Sequence, residues 1–274
     1  MSGGARHQEA GGRPRQPDRG RRTHRLARCL GLAAAGIVLA LSDRGWALEG
    51  PGTSQPAPGV RQTGSNTFAI GQVQMDSRAR TLTLPARINM QQGIIEYALV
   101  SRWGKTHESL LVTDAHPQQV HLACLLLGLT ACDVTGEPNQ PQVVPASNRV
   151  HIELCWEEGG KEAVRPLWQT IALQRTGAAS TEPMEIAGPW LYNGSRIDPS
   201  GFAAQEEGSL ISLIRDPSAL VNNPRADRDD DTLHVPNTAL LPARGAPVRV
   251  VFRFQQTPSG KGATPASPPR TLKP

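Results

Sequence analysis

The chain is 274 residues long, 19% charged and 4% aromatic, with 29 Lys+Arg against 24 Asp+Glu and a net charge of +5. The excess sits at one end: residues 1–47 hold nine Arg and three acids, so residues 48–274 keep 20 basic and 21 acidic groups. A body balanced at −1 with no basic run excludes a phosphate-backbone footprint, and with it nucleic-acid binding.

The first 47 residues have the layout of an export signal. A polar, basic stretch closes on Arg21, Arg22, Arg25 and Arg28. An apolar run follows from Leu30 to Leu41, then small residues and Gly45-Trp46-Ala47, a cleavage site after Ala47. The run is shorter than the roughly 20 residues of a comfortable membrane span. The expectation is an exported protein, periplasmic or extracellular, touching a membrane only if the signal stays uncleaved as an anchor. His24 and Arg25 are too polar for a twin-arginine signal, and Cys29 precedes the apolar run, the wrong side for a lipid-modified cysteine.

Residues 48–65 are rich in Pro, Gly and Ser and read as a flexible linker; residues 256–274 read as a disordered tail. The fold is expected over 66–255, long enough to stabilise a core without disulfide staples. Segments 68–75 and 81–90 read as strands around the polar turn Asp76-Ser77-Arg78. Segments 94–102 and 106–113 read as a hairpin about Trp103-Gly104. The best helix is 117–127: Pro117 opens it, Gly128 stops it, and Gln118, Gln119 and His121 form its polar stripe, leaving the rest to be buried.

After a Pro/Asn loop at 136–148, segments 150–156 and 164–173 flank Glu157-Glu158-Gly159-Gly160 as a second hairpin. Segments 189–197 and 209–215 read as strands, and 217–222 as one helical turn. In 248–254 Val248, Val250, Phe252 and Phe254 alternate with Arg249, Val251 and Arg253, a half-buried strand. Many strands and few helices predict an α+β fold: a mostly antiparallel sheet with one well-defined buried helix near 117–127.

Cys124, Cys132 and Cys155 follow the cleavage point. An oxidising compartment allows one disulfide among them, in any pairing; all three equally suit small apolar core positions. The absence of a CxxC pair excludes a thioredoxin-like or iron–sulfur site.

Several blocks resemble one known family. Gly93-Ile94-Ile95-Glu96-Tyr97, Lys105-Thr106-His107-Glu108-Ser109-Leu110-Leu111, and Val120-His121 leading into Leu125-Leu126-Leu127-Gly128 look like the YdjY domain. So do Trp190-Leu191-Tyr192-Asn193-Gly194-Ser195, the run from Glu207 to Leu213 and the acidic loop before 232. The resemblance spans about 69–254 and implies a family label without an activity. Some members carry a ferredoxin label, for which this chain lacks the cysteine cluster.

Three sets of residues are candidates for chemistry. His107-Glu108 begins like a zinc-protease motif, but Leu111 stands where HExxH needs its second His. If His121 joins them, with His151 or Glu153 as a further ligand, a metal-dependent hydrolase follows. Asp227, Asp229 and Asp231 alternate as oxygen ligands do in calcium loops, although Thr232 and Thr238 replace the Gly and Glu of an EF-hand. Calcium at 227–231 is the one cofactor indicated. Trp190, Tyr192, Asn193 and Arg196 place aromatics, an amide and a cation beside a polar turn, with one aromatic expected to bury and the other to line a groove for sugar or peptide.

No catalytic nucleophile is evident: Gly208-Ser209-Leu210-Ile211-Ser212 is not GxSxG. The function expected is therefore a non-enzymatic binding or assembly module of the cell envelope, with an unknown protein or envelope partner. The alternatives are the metal-dependent hydrolase and a purely structural envelope protein. Convergence of His107, Glu108 and His121 favours the hydrolase; an open groove favours binding.

Overall fold

The computed structural model describes residues 59–136, 144–175, 180–185 and 188–255. The expected export signal, the linker up to 58 and the tail lie outside the described residues. The strands are β1 Val60–Gln62, β2 Thr67–Ile70, β3 Val73–Asp76, β4 Thr81–Ile88, β5 Tyr97–Ser101, β6 Ser109–Thr113, β7 Arg149–Glu158, β8 Lys161–Pro166 and β9 Ile171–Leu173. They continue as β10 Glu182–Pro183, β11 Trp190–Tyr192, β12 Ile197–Asp198, β13 Gly201–Phe202, β14 Ser209–Ser212, β15 Val221–Asn222, β16 His234–Pro236 and β17 Pro247–Phe254. Helix α1 is Pro117–Leu126 and α2 is Ala203–Glu207.

Eight of these strands close on themselves. The order β4-β17-β7-β11-β15-β14-β5-β6 returns to β4 through Arg87 opposite Val112 and Ile88 opposite Leu111. Closure removes the exposed edges of an open sheet. The β1–β3 meander extends from the other part of β4, and β8 pairs with β7. The expected α+β class is thereby corrected to a mostly β barrel with added strands, carrying two α-helices among the described residues. Alternation identifies strands, but the partners that close the ring are far apart in sequence and leave no local signal.

Period-2 burial builds the wall. Along β4, Leu82, Leu84, Ala86 and Ile88 are buried while Pro85 and Arg87 face out; along β17, Val248, Val250, Phe252 and Phe254 are buried while Arg249 and Arg253 face out. Each fully buried Leu, Ile or Phe contributes about 1.5–3 kcal/mol, so these inward rows dominate the stability of the ring. Pro85 sits where one edge of β4 passes from β3 to β6, and its carbonyl accepts the Thr113 hydroxyl at 2.6 Å. No strand there needs the N–H that proline lacks.

Helix α1 forms where expected, but only Pro117, Val120, Ala123 and Cys124 are buried within it. Leu125 and Leu126 are 45% and 50% exposed, against the expectation that all but the polar stripe would be covered. The helix packs on β2, β3 and α2 from one side only, so a single stripe is buried. The Arg80 guanidinium anchors its end, donating to the Leu127 carbonyl at 2.7 Å and the Gln255 carbonyl at 3.1 Å.

The hairpin expected about Trp103-Gly104 is also corrected. A turn does form, with Gly104 N donating to Ser101 O at 2.8 Å, but β5 and β6 run parallel. Gly104 lies against the Glu207 and Gly208 carbonyls, where a Cβ would meet oxygen at 2.9 Å, and the chain then returns as a 3-10 turn over Thr106–Glu108. The second hairpin is as expected: Gly159 and Gly160 take φ of 59° and 76°, and Glu158 pairs with Lys161. Val60–Gln62, expected within the linker, pairs with β2 as an edge strand.

Candidate functional site

The expected metal residues separate. His107 and Glu108 occupy the 3-10 turn rather than a strand, so they do not face opposite ways; His107 Nε2 lies 3.6 Å from Glu108 Oε2. Lys105 approaches the same carboxylate at 3.8 Å and donates to the Tyr97 hydroxyl at 2.9 Å. Tyr97 is buried and donates in turn to Asp216 at 3.1 Å. Burial, then the neighbouring Glu108 carboxylate, raises the pKa of Glu96. His107 flanks a shallow depression with Asn89, Gln91 and Arg244.

His121 belongs elsewhere. Its Nδ1 is 2.8 Å from the Tyr192 hydroxyl, and its ring packs on Phe202 with centroids 4.8 Å apart. Burial lowers its pKa. Among the described residues no three His, Cys, Asp or Glu side chains converge as a metal set.

Trp190, Tyr192 and Asn193 are buried, so none lines an open groove. Residues two apart on a strand share a face, and for β11 that face is the core. Burial pushes the Tyr192 hydroxyl and the Cys124 thiol well above their ordinary values. Asn193 ties down two backbone segments: it donates to the carbonyls of Pro217 and Ala219 and accepts from Val134 N. Arg196 is half exposed and faces Asp198 at 3.8 Å and Glu207 at 3.9 Å.

In the acidic loop, Asp227 accepts two hydrogen bonds from Arg225 at 2.9 and 2.6 Å, and Asp229 two from Arg215 at 2.6 and 2.8 Å. These bonds hold both carboxyls below the usual range. Asp230 caps Thr232, and Asp231 is exposed. Cys124, Cys132 and Cys155 are free thiols.

A groove of about 960 Å³ lies elsewhere, beside β6, β4, β17, β7 and the start of β8. The strand register sets out its floor: Val112 is opposite Arg87, Arg87 opposite Pro247, and Arg249 opposite both Pro85 and Cys155. Arg102 pairs with Asp114 at 3.7 Å and Arg249 with Glu162. Arg87, Lys161 and Glu157 make no side-chain hydrogen bond or ion pair among the described residues, although all three line the groove. Trp156, the residue after Cys155, alternates to the core face of β7, and its indole N–H is buried with no acceptor among the described residues. A buried donor left unmatched costs about 1–3 kcal/mol.

A family model of the YdjY domain matches residues 73–253, about two thirds of the chain. The chain belongs to the YdjY domain family. No curated protein and no solved structure matches it.

Two of the segments that carry the YdjY resemblance lie side by side: Glu96 N donates to Glu108 O at 2.9 Å, which brings Tyr97 and Lys105 together. The groove of this YdjY domain, by contrast, went unread in the sequence. Its one sequence trace is the doublet Pro85-Ala86-Arg87 and Pro247-Val248-Arg249, where outward cations alternate with prolines on neighbouring strands.

Proposed function

We propose that this YdjY domain is a non-enzymatic binding module and that the groove across β4, β17 and β7 is its binding site. The observation that carries the reading is the groove itself, a concavity of about 960 Å³ lined by charged residues and by apolar ones such as Pro85, Val112 and Pro247. That mixture is typical of small-molecule sites, which are mostly apolar with a few polar groups that fix orientation. No nucleophile and base stand in hydrogen-bond reach within the lining, which favours binding over turnover.

The test is a ligand-observed NMR screen of the full chain against Pro247→Trp, whose indole would fill the groove from an exposed position. Hits should lose affinity at least tenfold in the variant and be recovered chemically unchanged. Hits indifferent to the substitution, or converted during incubation, would overturn the reading.

Residues 1–47 support work outside the cytoplasm, through the basic stretch, apolar run and small-residue site already described. N-terminal sequencing of the protein recovered from its native compartment should begin at Leu48. Recovery with Met1 in place would sink the cleaved signal.

A further inference from the structure

No residue of α1 lines the groove, and the helix carries a surface of its own. Residues 115–132, the helix and its flanks, hold no Asp, Glu, Lys or Arg in a chain that is 19% charged. Seven large apolar side chains are exposed among the described residues, and four of them lie around this helix: Trp103, Leu125, Leu126 and Ile197. A single exposed leucine is ordinary. These four are joined by contacts into one strip.

Leu122, Leu125 and Leu126 are spaced i, i+3 and i+4, so they form a stripe on the side of α1 turned away from its buried residues. His121 sits one turn before Leu125, and the Phe202 ring packs on it with centroids 4.8 Å apart. Ile197 is directly opposite Phe202 in the β12–β13 pair, so the two share a face, and Ile197 is 85% exposed. At the other end of the helix the Trp103 ring lies 4.8 Å from His116, the residue before Pro117, and its indole donates to the Gln205 carbonyl at 2.9 Å. Apolar surface thus stands at both ends of α1. Arg196, beside Ile197, is already engaged by Asp198 and Glu207. A continuous apolar strip of this kind marks an interaction surface.

Charge and order select the occupant. A charged ligand finds no free counter-charge on residues 115–132. A segment ordered only on arrival loses backbone freedom at every residue it lays down. A second copy of the chain brings the same uncharged strip, already fixed by its own fold. Its two apolar ends also make the strip self-complementary, the condition for a two-fold contact. We propose that α1 is the contact of a symmetric homodimer, packed antiparallel on α1 of a second copy, with Leu125 and Leu126 of each copy against Trp103 of the other. An interface of standard size takes about 800 Å² from each partner. A helix of this length is about 15 Å long and supplies only part of that area, with the hairpin and Trp103 extending it. The dimer is therefore reversible, with a dissociation constant on the order of micromolar.

Sedimentation velocity of the full chain, from low to high micromolar concentration, tests it. The weight-average mass should rise from monomer to dimer. Leu125→Arg and Ile197→Asp, both at exposed positions, should each weaken association at least tenfold and leave the melting temperature of the monomer unchanged. Association that survives both substitutions would place the contact elsewhere and overturn the proposal. A native chain that stays monomeric at high micromolar concentration would overturn it too. In that case flotation with neutral phosphatidylcholine vesicles, lost in Leu125→Arg, would assign the strip to a membrane surface instead.

Discussion

The Tyr192 hydroxyl stands 2.8 Å from Nδ1 of His121, across 71 residues of sequence. One of these residues looked like a metal ligand and the other like a groove wall. Together they are a clasp between α1 and β11. Tyr192→Phe should therefore cost about 1 kcal/mol, the net contribution of a typical intramolecular hydrogen bond. Urea unfolding measures it, and a midpoint within error of the native chain would show that the clasp carries no stability.

His234 gives the pH dependence. It is fully buried, with neither ring nitrogen hydrogen-bonded among the described residues. Burial lowers its pKa to about 4, partly offset by Asp227. The unfolded chain takes up this proton near pH 6.5 and the folded chain does not until about pH 4. Stability is thus full above pH 6.5 and is lost as pH falls toward 4, by at most about 3 kcal/mol from this residue. His121, also lowered by burial, adds to the loss in the same direction. Melting at pH 7 and at pH 4.5 should differ less in His234→Leu than in the native chain; an equal drop in both would assign the slope elsewhere.

Gly208 is held by two constraints that can be separated. Its φ is 70°, and a Cβ would lie 2.8 Å from Gly104 Cα and 2.9 Å from Gly104 N. Gly128 has φ of 78° with nothing within 4 Å of the same position. Gly128→Ala should cost about 1–2 kcal/mol for the left-handed backbone alone. Gly208→Ala should cost about 2–4 kcal/mol, since the β5 turn must also move. Equal costs would mean that the Gly104–Gly208 contact yields freely.

Calcium can be tested directly against the guanidinium bonds. A cation at Asp227 and Asp229 must displace Arg225 and Arg215, whose paired donors already satisfy those carboxylates. Millimolar calcium should leave the melting temperature where it was. A rise of several degrees, reversed by chelator, would show that the loop rearranges to take the ion.

The strands were legible because inward Leu82, Leu84 and Ile88, or Val248, Val250 and Phe252, alternate with outward residues over a full segment. Helix α1 was legible through Pro117 and Gly128. Barrel closure was not, because the seam is two residue pairs between β4 and β6. The parallel course of β5 and β6 was masked by a turn that forms at Trp103-Gly104 and then fails to become a hairpin. Trp190 and Tyr192 misled by type: aromatics beside amides suit recognition, yet the partners that bury them, among them His121 and Phe254, come from distant segments. The groove drew on five strands, and only the fold brings Arg87, Pro247 and Arg249 to one surface.

β17 is the last strand among the described residues, yet it lies between β4 and β7 with seven pairs to one and six to the other. Until it is available, both neighbours present raw edges, and the ring cannot shut from either side. Assembly of the barrel therefore waits for the far end of the chain, a high-contact-order route that folds slowly and late. A polypeptide built this way stays threadable for as long as its final stave is missing. Cutting it before residue 247 should leave an aggregating sheet rather than a smaller barrel.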